Sequence, residues 1–403
     1  MTTIKTRKID FLPSRTATFE GEEHLFFSGT SYLGIGHQPE FRAALMAGMS
    51  RYGTVFSASR NNNLQLKIYE ETEDFLANWT RSEAALTVTS GLLAGQLAVN
   101  FLKNYADSKG NKTHFIYAPS AHPAVWEGTP QYIFKNQEDF EKNIVGTIEE
   151  EKNAPIVVVS NAVDMLTCQA FDFSWISKLP DNQDITLLID DSHGIGVTGE
   201  NGAGIFNRIN KLAHPSVKII VIASLAKALG IPGGVILSEA KTIHSIRNNP
   251  LFVGASPIVP AYLFAFLLAQ PMYETARQTL TNNIQLFKKM LIPNSKFQIP
   301  MGEKTPQYKS DFSVNFEQNA SFNAHFPTSN FFKSPMDNYP VFYTSENALF
   351  DYLFNEKVFI SHFAYPKPND PPITRVVLSA LHTAADIAFL TIKINDFLKN
   401  AQQ

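Results

Sequence analysis

Cysteine is almost absent: of 403 residues, only Cys168 carries a thiol. No intrachain disulfide and no thiolate zinc site can be built, which fits a reducing cytoplasm and leaves Cys168 as a packing residue. Long apolar runs are missing as well. The longest, Ile258 to Ala269, contains Pro260 and falls well short of the roughly 20 residues that a membrane span needs, so it reads as a buried helix. The stretch Met1 to Leu12 mixes Lys5, Arg7, Lys8 and Asp10 without an apolar centre, so no secretory signal is expected there. Charge of one sign is missing too. A net charge of −3, with 18% charged residues, gives no electrostatic reason to bind nucleic acid or an acidic membrane. A small-molecule substrate is favoured, with no metal site expected.

What is present is enough chain for about two domains. Residues 1–45 carry scattered aromatics and the turn-rich Ser28-Gly29-Thr30-Ser31-Tyr32-Leu33-Gly34, and a helix is expected from Pro39 to Tyr52. From Leu64 onward Ile68, Thr72, Phe75, Leu76 and Trp79 recur at three- and four-residue spacing, the pattern of an amphipathic helix. Strand-length apolar runs follow at Ala84–Val88, Phe115–Tyr117, Ile156–Val159, Ile185–Ile189, Val217–Ala223 and Gly234–Leu237, mostly with helix-like segments between them. That rhythm predicts an α/β fold with a mostly parallel sheet flanked by helices. After a helical stretch, Tyr273 to Leu291, a tract rich in Phe, Asn and Ser (294–336) leads to a smaller α+β region. The expected organisation is an N-terminal segment, 1–45, a large domain, 46–275, and a small C-terminal domain, 276–403.

Chemistry concentrates where strands end. Lys227, in Ser224-Leu225-Ala226-Lys227, follows the run Val217–Ala223, and Asp190 follows Ile185–Ile189. An amine able to hold an aldehyde as a Schiff base, paired with an acid for a pyridine nitrogen, at strand ends of an α/β sheet, is the pattern of a pyridoxal 5'-phosphate (PLP) site. Asp191 is the weaker acid candidate, because neighbouring strand residues face opposite ways. His193 is placed to donate to the cofactor's phenolic oxygen or to a substrate carbonyl. Ser90, Gly91 and Leu92 open a helix after Ala84–Val88, where backbone N–H groups and the helix dipole favour a phosphate, and Ser224 offers a further hydroxyl. His122, after Phe115–Tyr117, is placed to stack on the ring. Arg375 is expected at the start of a strand, its guanidinium suited to a substrate carboxylate.

The string Gly194-Ile195-Gly196-Val197-Thr198-Gly199 is literally GxGxxG, but no Asp or Glu occurs from Asn201 to Ser238 to bind a ribose. A dinucleotide site is therefore rejected.

In order and spacing these pieces resemble the α-oxoamine synthases, a branch of the fold-type-I PLP enzymes. The resemblance runs through Tyr32-Leu33-Gly34 with His37 and Pro39, Gly53 with Ser57-Ala58-Ser59-Arg60, Ser90-Gly91, and His122. It continues through Asp190-Asp191-Ser192-His193-Gly194 with Gly199, Ser224 with Lys227, and Arg375 to His382. It implies a fold-type-I PLP transferase that condenses a small amino acid with an acyl-CoA and releases carbon dioxide. Lys227 would be the Schiff-base lysine and proton shuttle, Asp190 the partner of the ring nitrogen, His193 the phenolic donor, His122 the stacking residue and Arg375 the carboxylate clamp. It also implies a homodimer in which Ser256 reaches the phosphate of the partner subunit's cofactor.

Three departures stand out. Thr30-Ser31 precedes Tyr32 where the family has Asn-Asp, Gly95 replaces an Asn, and Ser160-Asn161-Ala162-Val163-Asp164-Met165 stands for Glu-Gly-x-x-Ser-Met. An aminotransferase or lyase with the same lysine, and a catalytically silent partner subunit, stay open as alternatives.

Overall fold

The apolar runs in the middle of the chain become the strands of one sheet in the computed structural model. It describes residues 6–107, 112–151, 154–164, 171–291, 331–332, 338–365, 367 and 369–400; Met165, Cys168 and nearly all of the tract 294–336 lie outside the described residues. The strands are β1 (Thr16–Phe19), β2 (Glu22–Phe27), β3 (Ala84–Val88), β4 (His114–Tyr117), β5 (Ile156–Asn161), β6 (Ile185–Asp190), β7 (Lys218–Ser224), β8 (Gly234–Ser238), β9 (Val341–Thr344), β10 (Val358–Ala364) and β11 (Pro372–Val377). The helices are α1 (Pro39–Tyr52), α2 (Lys67–Thr80), α3 (Gly91–Asp107), α4 (Gln137–Glu150), α5 (Phe206–Leu212), α6 (Ala240–Arg247), α7 (Pro250–Gly254), α8 (Pro260–Leu268), α9 (Gln270–Leu291), α10 (Ala348–Asn355) and α11 (Ala384–Asn400). The chain divides into two compact units, Leu33–Arg277 and Met1–Tyr32 with Gln278–Gln403.

In the first unit six strands run in the order β3-β8-β7-β6-β5-β4. β4 to β7 are mutually parallel, while β8 is antiparallel to both β7 and β3. Five strands therefore bring their C-terminal ends to one edge. β5 and β6 are buried along their whole length, as the continuous apolar runs of a sheet covered on both faces require. Leu97 and Leu102 of α3 join Val157, Leu188 and Ile220 in the core. On α2, Ile68, Thr72 and Leu76 of the expected stripe are buried, Phe75 and Trp79 are half-buried, and Glu73 is buried as well. That carboxylate is matched by the buried Arg60, whose Nη2 reaches both Glu73 oxygens at 3.1 Å.

The second unit contains a hairpin that the sequence pattern did not disclose. β1 and β2 pair across Glu20-Gly21, whose φ angles of 53° and 85° are both in the left-handed region that tight hairpin turns demand. β2 then pairs parallel with β10, giving the sheet order β1-β2-β10-β11-β9.

His382 fastens this unit together. Its ring stacks on Phe27 at 4.0 Å, Nδ1 accepts from Ser379 N–H at 3.0 Å, and Nε2 donates to Phe26 O at 2.9 Å. With Nδ1 an acceptor, the ring must be neutral, and burial pushes its pKa from 6.5 down to about 4. The folded value lies below the unfolded one, so the stability it lends is complete above about pH 6.5 and drains away as pH falls toward 4. We expect a loss of about 3 kcal/mol over that window, read from urea midpoints at pH 7 and 4. A His382→Gln variant, though less stable throughout, should lack this step; the same step in the variant would refute the assignment.

Candidate active site

Lys227 lies three residues beyond the end of β7, on a turn that folds back on itself. Leu225 N–H donates to Gly233 O at 2.9 Å and Ile231 N–H to Leu225 O at 3.2 Å, with Gly230 at φ 67° closing the bend. The lysine is half-buried. On the adjacent strand Asp190, the last residue of β6, is buried, and its Oδ1 accepts Ser192 N–H at 2.9 Å. Ser192 in turn accepts Ser224 N–H on its Oγ at 2.8 Å, so the exits of β6 and β7 are braced to each other.

His122 arrives from the loop after β4. Its Nδ1 accepts Ala124 N–H at 3.2 Å and stands 3.5 Å from Asp190 Oδ2, a close approach rather than a hydrogen bond. Burial lowers the His122 pKa, the Asp190 charge raises it and the Lys227 charge lowers it. The imidazole is thus held neutral between an acid and an amine.

Strand alternation turns Asp191 away from this group. Its Oδ2 accepts Ile205 N–H at 2.8 Å, and burial pushes its pKa up to about 8. A Cβ on Gly194 or Gly204 would come within 2.0 and 2.1 Å of its two oxygens, so both glycines are required by close approach. The loop containing the GxGxxG string wraps this carboxyl and leads first into a 3-10 turn, Glu200–Gly202, and then into α5. The string therefore does not itself open a helix.

At the end of β3, Ser90 caps α3 by accepting Leu93 N–H on Oγ at 3.1 Å, and Gly91 rests directly on Ser224. A Cβ on Gly91 would lie 2.7 Å from that of Ser224, and one on Gly234 would lie 2.3 Å from Ser90 O. The three strand ends can approach only because no side chain intervenes. The first amides of α3 have no acceptor within the helix, so an anion set beside Ser224 meets donors and the favourable end of the dipole.

Among the sequence candidates, Lys227, Asp190, His122, Ser224, Ser90, Gly91 and Leu92 all lie at the C-terminal edge of the six-stranded sheet, followed closely by the buried His193. Ser256 is exposed between α7 and α8. Arg375 belongs to the second unit. It lies within β11 rather than at its start, buried, with its guanidinium 4.9 Å from the Phe363 ring. Sequence reasoning missed Ser192 as the brace and noted Asn161 only as part of a departure, not as the residue that, after Ser160, closes β5 beside Asp190. The interruption of that strand's apolar run was the available signal. Amine, acid, imidazole and anion cradle together fit an aldehyde-bearing pyridine phosphate.

Residues 28–392 match the family described as aminotransferase class I and II. Among curated proteins the chain is similar to the 8-amino-7-oxononanoate synthase of Petrotoga mobilis, 24% identical, with 98% of this chain and 94% of that one covered. It is also similar to the protein of that name from Aliivibrio fischeri strain ES114, 26% identical over 94% of this chain and 91% of that one. Among solved structures, a serine palmitoyltransferase from S. paucimobilis superposes with a TM-score of 0.73 at 16% identity, covering 97% of this chain and 92% of that one. The 8-amino-7-oxononanoate synthase of Francisella tularensis gives a TM-score of 0.65 at 17% identity, covering 94% and 99%.

Proposed function

The chain belongs to the aminotransferase class I and II family, and from this premise we propose that it is a PLP-dependent acyltransferase of the α-oxoamine synthase type. It would condense a small amino acid with an acyl-CoA, with loss of carbon dioxide. The observation that carries this reading is the meeting of Lys227, Asp190 and His122 at one sheet edge beside the α3 N-terminus.

PLP supplies an electron sink for the carbon next to a bound amine. Lys227 Nζ would hold its aldehyde end and would be the base for the amino acid's α-proton. Asp190 would keep a proton on the ring nitrogen through a charge-assisted bond. His122 would cover the ring face, and His193 would donate to the phenolic oxygen. Ser90, Gly91, Leu92 and Ser224 would hold the phosphate. Arg375 is proposed as the ligand of the amino acid's carboxylate, on the chemistry of its planar, buried guanidinium.

We also propose a homodimer in a reducing cytoplasm. Val55, Leu64 and Leu251 are at least half exposed in the single chain, and Ser59 Oγ, which donates to Val253 O at 2.9 Å, holds their segments together. Ser256 follows this region and would reach the partner subunit's cofactor phosphate. Among the described residues no helix is long and apolar enough to cross a membrane.

The test is to give purified protein PLP, then alanine, glycine or serine, and a panel of acyl-CoAs. Release of both free CoA and carbon dioxide with one pair is the expected result; neither product with any pair ends the proposal. Amino transfer to a keto acid without CoA would establish an aminotransferase instead. Failure to bind PLP would leave a silent partner subunit.

A further inference from the structure

Two of the sequence departures, Gly95 and Asn161, meet at one loop. Residues 118–126 leave β4 and carry His122. Asn161 closes β5, is 2% exposed and pairs in register with Asp190 on β6. Its Nδ2 donates to Ser120 O at 2.7 Å, and its Oδ1 accepts His122 N–H at 3.1 Å. The amide can be turned only one way, because a flip would set oxygen against oxygen and N–H against N–H. Ser120 sits at φ 61°, a left-handed conformation that disfavours side chains, so the loop needs outside contacts to hold this shape.

The opposite side of the loop is held by α3. A Cβ on Gly95 would lie 2.2 Å from Ala124 O, so only glycine lets the loop close onto the helix here. The next residue, Gln96, donates from Nε2 to the same carbonyl at 2.9 Å. Trp126 Nε1 adds a bond to Ala121 O at 2.7 Å. None of these contacts touches the imidazole. They fix the backbone on both sides of it, and the ring then stands 3.5 Å from Asp190 Oδ2.

We propose that Asn161, with Gly95 opposite, is a positioning residue for His122: its amide fixes the loop on the same sheet level as Asp190 and so sets where the imidazole stands. That the imidazole then packs on PLP rests on the function proposed above; the latch itself rests on the loop geometry. A buried amide at the end of β5 thereby supplies contacts that a glycine at that position could not make.

The experiment compares the full-length chain with Asn161→Ala, Asn161→Asp, Gly95→Ala, His122→Ala and the double variant Asn161→Ala/His122→Ala, first without and then with PLP. Three readouts are taken: exchange of the His122 amide, the NMR titration of its imidazole, and the PLP dissociation constant. In Asn161→Ala the amide should exchange at least about tenfold faster, from loss of its buried acceptor. The imidazole pKa should rise toward its ordinary value as the loop gains solvent, since burial is the largest cause of its lowering. PLP should bind about tenfold more weakly, and Asn161→Ala should change PLP affinity by less than about twofold when His122 is already alanine. Gly95→Ala should move the same readouts in the same direction.

Unchanged exchange and titration in Asn161→Ala overturn the latch, as does an undiminished loss of PLP affinity in the His122→Ala background. If Asn161→Ala fails to fold, Asn161→Asp decides instead, because it keeps the shape and the acceptor but loses the Nδ2 donor to Ser120 O. If wild-type protein binds no PLP, the functional reading fails, and the exchange and titration still judge the latch by themselves.

Discussion

Replacing Lys227 with alanine is expected to remove both the visible absorbance of bound PLP and the acyl transfer. The lysine is the amine at the end of β7, and its charge is felt by the His122 imidazole beside Asp190. Loss of the α-proton acceptor alone should cost roughly 10²–10⁴-fold in turnover, and loss of the attachment point adds to that. PLP affinity should fall less than turnover, because the α3 N-terminus, Ser224 and Asp190 remain. Borohydride reduction of wild-type protein with PLP should add the cofactor's mass to the peptide containing Lys227, and to no peptide of the variant. Label on another lysine, or turnover within tenfold of wild type, would remove Lys227 from the mechanism.

The second large effect concerns stability. Glu73→Ala should destabilise the protein by about 3–5 kcal/mol, because it strands a buried guanidinium. Glu73 accepts Arg60 Nη1 at 3.0 Å, Thr87 N–H and Thr87 Oγ both at 2.8 Å, and Arg247 Nη2 at 2.8 Å. Arg60 is only 4% exposed and also stacks over Tyr69 at 4.1 Å. Removing the acid leaves that charge without its carboxylate in a place water does not reach. The apolar double replacement Arg60→Met/Glu73→Leu should lose less than Glu73→Ala alone, since no unpaired charge is left behind. Denaturant midpoints decide it; a double variant at least as damaged as Glu73→Ala would mean that packing, not the stranded charge, carries the cost.

This network also bears on the site. Thr87 lies in β3, shortly before Ser90 and Gly91, so loosening Glu73 loosens the strand that delivers the anion cradle. α2, reached through its amphipathic stripe, therefore has a second task besides covering the sheet.

The pattern of apolar runs determined the larger sheet. Four-to-seven-residue stretches rich in Val, Ile and Leu can satisfy their backbone only by pairing and their side chains only by burial on both faces, which is what β5, β6 and β7 do. Residue chemistry at the ends of those runs singled out Lys227 and Asp190 as candidates, because an amine and an acid at neighbouring strand ends suit an imine and its counterion. The hairpin β1-β2 was not legible, since its strands are short and one of its two turn residues is Glu20, which adopts positive φ only because the surrounding pairing holds it there.

Buried polar pairings were equally hidden. Glu73 lies on the expected helix, but its partners come from 13, 14 and 174 residues away, and nothing in a local window connects them. Asn161 and His122 are 39 residues apart in the chain, and only the parallel register of β4, β5 and β6 makes them neighbours. The sequence alone determined the strands of the larger sheet and which side chains at their ends are candidates for the chemistry, because periodicity and residue type are local properties. Tertiary structure alone decided how that chemistry is held in place, because a hydrogen bond between distant segments exists only after the sheet has set their register.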